Sequence, residues 1–111
     1  MLALMLTLVS SVATAQIPHL RTQGTATQLI VDGEPFLILG GELGNSSASE
    51  LDYLKPYWKT LKAMHLNTVL APVSWELIEP VEGRFDFSLV DGLIRDAREA
   101  GLRLVLLWFG S

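Results

Sequence analysis

The chain has 111 residues, half of them hydrophobic, with eight Lys and Arg against twelve Asp and Glu and a formal net charge of -4. That balance describes a globular chain rather than a disordered one. The few scattered cations make no stripe that could neutralise phosphates or an anionic membrane surface, so neither nucleic acid nor a membrane is expected as a partner. Cysteine is absent, which excludes a disulfide framework, thiol chemistry and a lipidated cysteine.

The first ten residues, Met1-Leu-Ala-Leu-Met-Leu-Thr-Leu-Val-Ser10, are apolar and lead to Ala13-Thr14-Ala15, the small-x-small form that a signal peptidase cuts. Residues 1–15 are therefore expected to be a signal peptide, leaving Gln16 first in a secreted or periplasmic product. A membrane anchor fits less well, because Thr7, Ser10, Ser11 and Thr14 interrupt a run already short of the ~20 apolar residues a spanning helix needs. No Lys or Arg precedes the run, which suggests a start codon further upstream. Residues 16–28 are polar and aperiodic and read as a linker.

From residue 29 the pattern is that of a folded α/β chain. Leu29-Ile30-Val31 and Phe36-Leu37-Ile38-Leu39 read as two short strands about Asp32-Gly33, a pair suited to the positive φ values of a hairpin turn. The second run is continuously apolar, as in a parallel strand covered on both faces. Residues Leu54 to Met64 place Leu54, Trp58 and Leu61 on one helical face, with Pro56 in the first turn. Thr68 to Pro72 is a buried strand and Val73 to Phe87 a loop. A helix follows, opened by Ser88 with Asp91 in a variant capping box and closed by Gly101; Leu89, Leu93, Ile94, Ala97 and Ala100 form its apolar side. Leu102 to Trp108 is the third buried strand. Strand, helix, strand, helix, strand, with apolar strands throughout, spells two βα units feeding a third parallel strand.

In such folds ligands meet the C-terminal ends of the strands. That rule selects Gly40 to Asn45, Pro72 to Glu79, and Trp108 to Ser111, which hold Glu42, Trp75, Glu76, Glu79 and Trp108. Indoles that stack on sugar faces and carboxylates that bond sugar hydroxyls form a carbohydrate site, although a Trp at a strand end is commonly packing. A retaining glycosidase needs two carboxyls roughly 5 Å apart that flank the scissile bond. Glu76 and Glu79 lie three residues apart on one loop, and Glu79 stands before Pro80 and near Gly83, so Glu79 is read as shaping the loop rather than as half of that pair.

The stretch Asn67-Thr-Val-Leu-Ala-Pro-Val-Ser-Trp-Glu-Leu-Ile-Glu-Pro-Val-Glu-Gly-Arg-Phe-Asp-Phe87, followed by Gly101-Leu-Arg-Leu-Val-Leu106, resembles the start of clan A glycoside hydrolase barrels. It is most similar to the β-galactosidases of glycoside hydrolase family 35 and somewhat less to family 42; Leu37-Ile-Leu-Gly-Gly-Glu42 resembles the family's first barrel strand. The resemblance implies a retaining enzyme acting on terminal β-galactosides, without metal or organic cofactor. It implies the first three strands and two helices of a (β/α)8 barrel after a short hairpin. A whole barrel takes roughly 250 residues, so residues 29–111 would be an incomplete barrel, with Glu42, Trp75, Glu76 and Trp108 lining the sugar pocket. The catalytic glutamates of such enzymes follow the fourth and seventh strands, beyond Ser111, so the chain alone is expected to be inactive. The sequence departs from family 35 at Pro72, where a tyrosine is usual, at Glu76 for the asparagine of a Trp-Asn pair, and at Ile78 for a histidine. These changes point to a divergent bacterial-type branch.

Other readings remain beside this one: a β-glycanase of the same clan, as in family 5 or 42, or a non-catalytic sugar-binding barrel. A nucleotide-binding module is suggested by Gly40-Gly41-x-x-Gly44 after a strand. Its spacing is not that of a dinucleotide fingerprint, and Glu42 would repel a pyrophosphate.

Overall fold

The computed structural model describes residues 16–110, so the expected signal peptide at 1–15 lies outside the described residues. The chain divides after Leu37 into two compact units.

The first unit is an antiparallel sheet of β1 (His19–Gln23), β2 (Ala26–Val31) and β3 (Glu34–Pro35), in that order. Asp32 and Gly33, at φ 53° and 85°, make the expected tight turn, which is of type I′. The other turn, Gly24-Thr25 between paired Gln23 and Ala26, escapes the sequence reading. The linker expected over residues 16–28 is thus corrected to a hairpin. All five residues of β1 are exposed, so the strand carries no apolar alternation to announce it.

A second correction concerns Phe36 to Leu39, which is not a strand; Leu37 is 76% exposed. Phe36 N–H donates to the Leu29 carbonyl, one step on in the β2–β3 register, whereas both backbone groups of Leu39 are bound by Asn67.

The second unit holds β4 (Gly40–Glu42), α1 (Leu51–Leu54), α2 (Tyr57–Ala63), β5 (Thr68–Ser74), α3 (Trp75–Ile78), α4 (Ser88–Glu99) and β6 (Arg103–Phe109). β4, β5 and β6 form one parallel sheet in that order, as the alternating pattern implies. Pro56, φ -68°, lies between α1 and α2 because it has no N–H with which to continue the first helix. β5 runs two residues past the expected end and takes Val73 and Ser74 from the loop.

Successive side chains of a strand face opposite ways, and register partners face the same way. One face therefore carries Gly41, Val69, Ala71, Val73, Leu104 and Trp108, and the other carries Glu42, Leu70, Pro72, Ser74, Leu107 and Phe109. The first face is the helix side, since Val69, Ala71 and Val73 share the core with Leu54, Trp58, Leu93 and Ala97. β6 is less buried than its apolar run suggests, with Val105, Leu106, Trp108 and Phe109 all exposed, because β5 is its neighbour on one edge only.

The helix ends show which residues terminate each element. The expected Ser88–Asp91 capping box does not form: Ser88 is already helical, and the Asp86 carboxylate accepts its N–H at 2.9 Å. At the other end Gly101, φ 67°, completes a Schellman motif, with Leu102 N–H on the Ala97 carbonyl and Gly101 N–H on that of Arg98. Lys62 Nζ donates to the Gly101 carbonyl at 3.0 Å and so ties α2 to this corner. Gly92 lies against α1, where a Cβ would run into the Leu51 side chain.

His65 ends α2 at φ 61°, the left-handed conformation that glycine adopts without penalty. For an L-residue this region costs roughly 1–2 kcal/mol, against roughly 0.5–1 for the extra unfolded freedom of glycine. His65→Gly is therefore expected to stabilise the fold by about 0.5–1 kcal/mol, measured as a raised denaturation midpoint with an unchanged m-value.

Candidate functional site

β5 and β6 end level with each other, with Val73 opposite Trp108 and Ser74 opposite Phe109. Trp75 then opens α3, and its ring lies 5.1 Å from that of Trp108 at 59°. The structure thus brings together the two indoles singled out in the sequence. It adds two rings that strand-end reasoning missed. Phe85 meets Trp75 edge-on at 5.9 Å, and Phe87 stacks on Phe85 at 6.3 Å and 12°. The signal for them was the alternation in Gly-Arg-Phe-Asp-Phe, visible as a motif but with no face assigned. Trp108, Phe85 and Phe87 are each more than half exposed, so this row of rings stands at the surface of the rim.

The loop that carries the phenylalanines is held by its own hydrogen bonds. Glu79 Oε1 accepts the Gly83 N–H at 2.6 Å, and Arg84 N–H donates to the Val81 carbonyl across a turn whose third residue, Gly83, has φ 75°. Asp86 N–H donates to the carbonyl of buried Ile78 at 2.7 Å. Glu79 is therefore committed to loop shape, as its Pro80–Gly83 surroundings indicate. Glu76 is exposed in the first turn of α3.

Glu42 ends β4, and its register partner is Leu70, four residues before Ser74. At about 3.3 Å per residue it stands roughly 13 Å short of the Ser74–Phe109 level along the strands. It lies on the face opposite Trp108. The four residues named from the sequence thus share one end of the sheet without forming one cluster: Trp75 and Trp108 pair on the helix side, and Glu42 faces away from it. A cavity of about 900 Å³ lies between α1–α2 and α4, lined by residues such as Lys55, Trp58, Lys59, Asp96 and Glu99. It opens between the outer helices and not at the strand ends.

A parallel α/β sheet with indoles, phenylalanines and carboxylates at its strand ends carries the side chains a carbohydrate site uses. A family model described as β-galactosidase, that of glycoside hydrolase family 42, matches residues 48–107. The chain belongs to this β-galactosidase family of glycoside hydrolases, the one ranked second to family 35 on sequence motifs. It is 36% identical over 113 aligned positions to a β-galactosidase of Xanthomonas manihotis, covering 95% of this chain and 18% of that protein. It is 35% identical over 83 positions to the human β-galactosidase-1-like protein 3, covering 68% of this chain and 12% of that protein. A β-galactosidase of Macaca fascicularis is 31% identical over 86 positions, covering 71% and 12%. The chain spans less than a fifth of the length of these relatives.

Asp86 is the group whose acidity the loop changes. Hydrogen bonds from the Ser88 side chain, then from the Ser88 backbone N–H, hold its carboxyl below the ordinary value of 3.8. A depressed carboxylate stabilises the fold above its unfolded pKa, and that contribution fades as pH falls through the folded value. Asp86→Asn is therefore expected to lower stability relative to the parent near pH 7, with the gap narrowing as the pH falls below 3.8. Urea denaturation across that pH range measures this, and a gap that does not narrow in acid would refute it.

Proposed function

We propose that residues 38–110 form the opening strands and helices of a (β/α)8 barrel, in a secreted retaining glycosidase that hydrolyses terminal β-galactosides of oligo- or polysaccharides. The observation that carries this reading is the Trp75–Trp108 pair, 5.1 Å apart at the strand ends, in a chain of the β-galactosidase family. The motif around Trp75 and Glu76 supports a branch near family 35, whereas the matched family model favours family 42; both are clan A assignments with the same chemistry. In either, an acid/base glutamate and a nucleophilic glutamate would lie roughly 5 Å apart after the fourth and seventh strands, with a covalent glycosyl-enzyme intermediate between two displacement steps.

In this reading Trp75 and Glu76, at the start of α3, meet the sugar beyond the strand ends, Trp108 backs Trp75 from the helix side, Glu42 lies further down the opposite face, and no metal or organic cofactor takes part. An indole on the C–H face of the ring and a carboxylate accepting its hydroxyl protons both strengthen as the ring flattens toward an oxocarbenium-like state, so they act on turnover as well as on affinity. In the complete protein carrying this chain, Trp75→Ala or Glu76→Gln should lower kcat/KM on an aryl β-galactoside by roughly 10- to 1,000-fold. Steady-state kinetics paired with thermal melts checks it. Because Trp75 also touches Trp108 and Phe85, a fallen Tm with unaltered kcat/KM would make Trp75 packing alone, and no change on either count would remove Glu76 from the site.

Export is proposed from Ala13-Thr14-Ala15. The mature protein is expected to begin at or near Gln16, as N-terminal sequencing of the extracellular or periplasmic product would show. A soluble cytoplasmic form retaining Met1 would refute it.

A further inference from the structure

Beside the aromatic wall stands a pair of residues that neither the wall nor the loop employs. Ser74 is the last residue of β5, Phe109 is the last of β6, and the two are register partners. Strand alternation turns both away from the helices, on the face of Pro72, Leu107 and, further down, Glu42. Ser74 occupies the N-cap of α3 with extended backbone, φ -86° and ψ 134°, where a serine ordinarily bonds a helix N–H. It makes no side-chain cap bond, and its hydroxyl is open to solvent with no partner among the described residues. A hydroxyl not committed to the protein is available to bond a ligand in place of water. Phe109 adds a ring 39% exposed at the strand end.

We propose that Ser74 and Phe109 contact the terminal sugar directly. The Phe109 ring lies under the apolar face of the sugar, and the Ser74 hydroxyl bonds one of its hydroxyls. This rests on the reading of the strand ends as the site of a β-galactosidase, and it names the feature of the substrate that the site reads. In galactose the axial 4-hydroxyl leaves the hydrogens of C3, C4 and C5 together on one face, a patch that packs on an aromatic ring. In glucose the equatorial 4-hydroxyl takes the hydrogen of C4 off that face. A ring here therefore favours a galactoside over the matching glucoside, and a hydrogen-bonding hydroxyl beside it fixes the orientation of the sugar. Trp108, one residue earlier on the same strand, turns to the helix side and cannot replace Phe109 in this contact.

The test uses the complete protein carrying this chain, assayed on an aryl β-galactoside and on the corresponding aryl β-glucoside. Phe109→Ala should lower the ratio of the two kcat/KM values by about 10-fold, with most of the ratio restored in Phe109→Trp. Ser74→Ala should raise KM for the galactoside about 3- to 10-fold, with a smaller change in kcat. A Phe109→Ala protein with the parental ratio overturns the proposal, whether its Tm is parental or lowered; in the lowered case the ring is packing. Should the parent turn over no β-galactoside, the underlying functional reading fails and this proposal falls with it. That result is distinct from an active parent whose selectivity ignores Phe109.

Discussion

The arrangement depends on Asn67. Parallel strands have no hairpin to align them, so their register must be imposed at their ends or through their crossovers. Asn67 imposes it at the entrance. Its Oδ1 accepts the Leu39 N–H and the Thr68 hydroxyl, each at 2.9 Å, its N–H donates to the Leu39 carbonyl at 3.0 Å, and its own carbonyl accepts the Arg103 N–H at 2.8 Å. One residue thus joins the chain entering β4, the start of β5 and the start of β6. Gly40, Thr68 and Arg103 consequently stand in one row. The same carboxamide satisfies the hydroxyl of Thr68, a polar side chain only 2% exposed, which would otherwise carry the cost of an unmade bond.

With the starting row set, strand length determines the rim. β4 ends after three residues at Glu42, while β5 and β6 run for seven. The step between them explains how β5 tolerates Pro72 although it is the middle strand. Pro72 lies beyond the end of β4 and pairs with Leu107 alone, so its missing N–H breaks no bond to β4. The step also separates Glu42 from the ends of its neighbours, and alternation separates Trp108 from Phe109. The surface at the end of the sheet therefore has two sides: indoles over the helix layer, and Ser74 with Phe109 on the other.

What was legible in the sequence follows the same physics. β5 and α4 declared themselves because each buries apolar residues at its own period, and Gly101 marked the end of α4 because a left-handed C′ position favours that residue. β1 gave no such signal, since a fully exposed strand needs no alternation. The apolar run Phe36 to Leu39 misled for the opposite reason: hydrophobicity alone cannot distinguish a ladder strand from a segment whose Leu39 is hydrogen-bonded by a distant asparagine. The strand-end rule singled out Trp75 and Trp108, and those two indoles do meet. What no spacing could supply was the face of each residue. A shift of one position reverses the direction of a side chain, so Trp108 drew attention and Phe109 did not until the pairing with β5 was known.

The loop behind the aromatic wall is anchored to the core by hydrogen bonds, which matters for what the wall can do. Phe85 and Phe87 flank Asp86, whose N–H is held by the carbonyl of Ile78 and whose carboxylate holds the first N–H of α4. Ile78 is fully buried, so the loop is anchored to the core rather than to another loop. Glu79 closes the remaining turn through Gly83. A ring presented from such a backbone loses little freedom when a partner packs on it, whereas each side chain that must be immobilised on binding costs about 0.5–1.5 kcal/mol. The carboxylates of Glu79 and Asp86, which resemble catalytic groups by composition, therefore serve the proposed site by fixing the loop in advance. Glu42 and Glu76 make no such loop bond among the described residues and are the carboxylates the proposal assigns to the sugar.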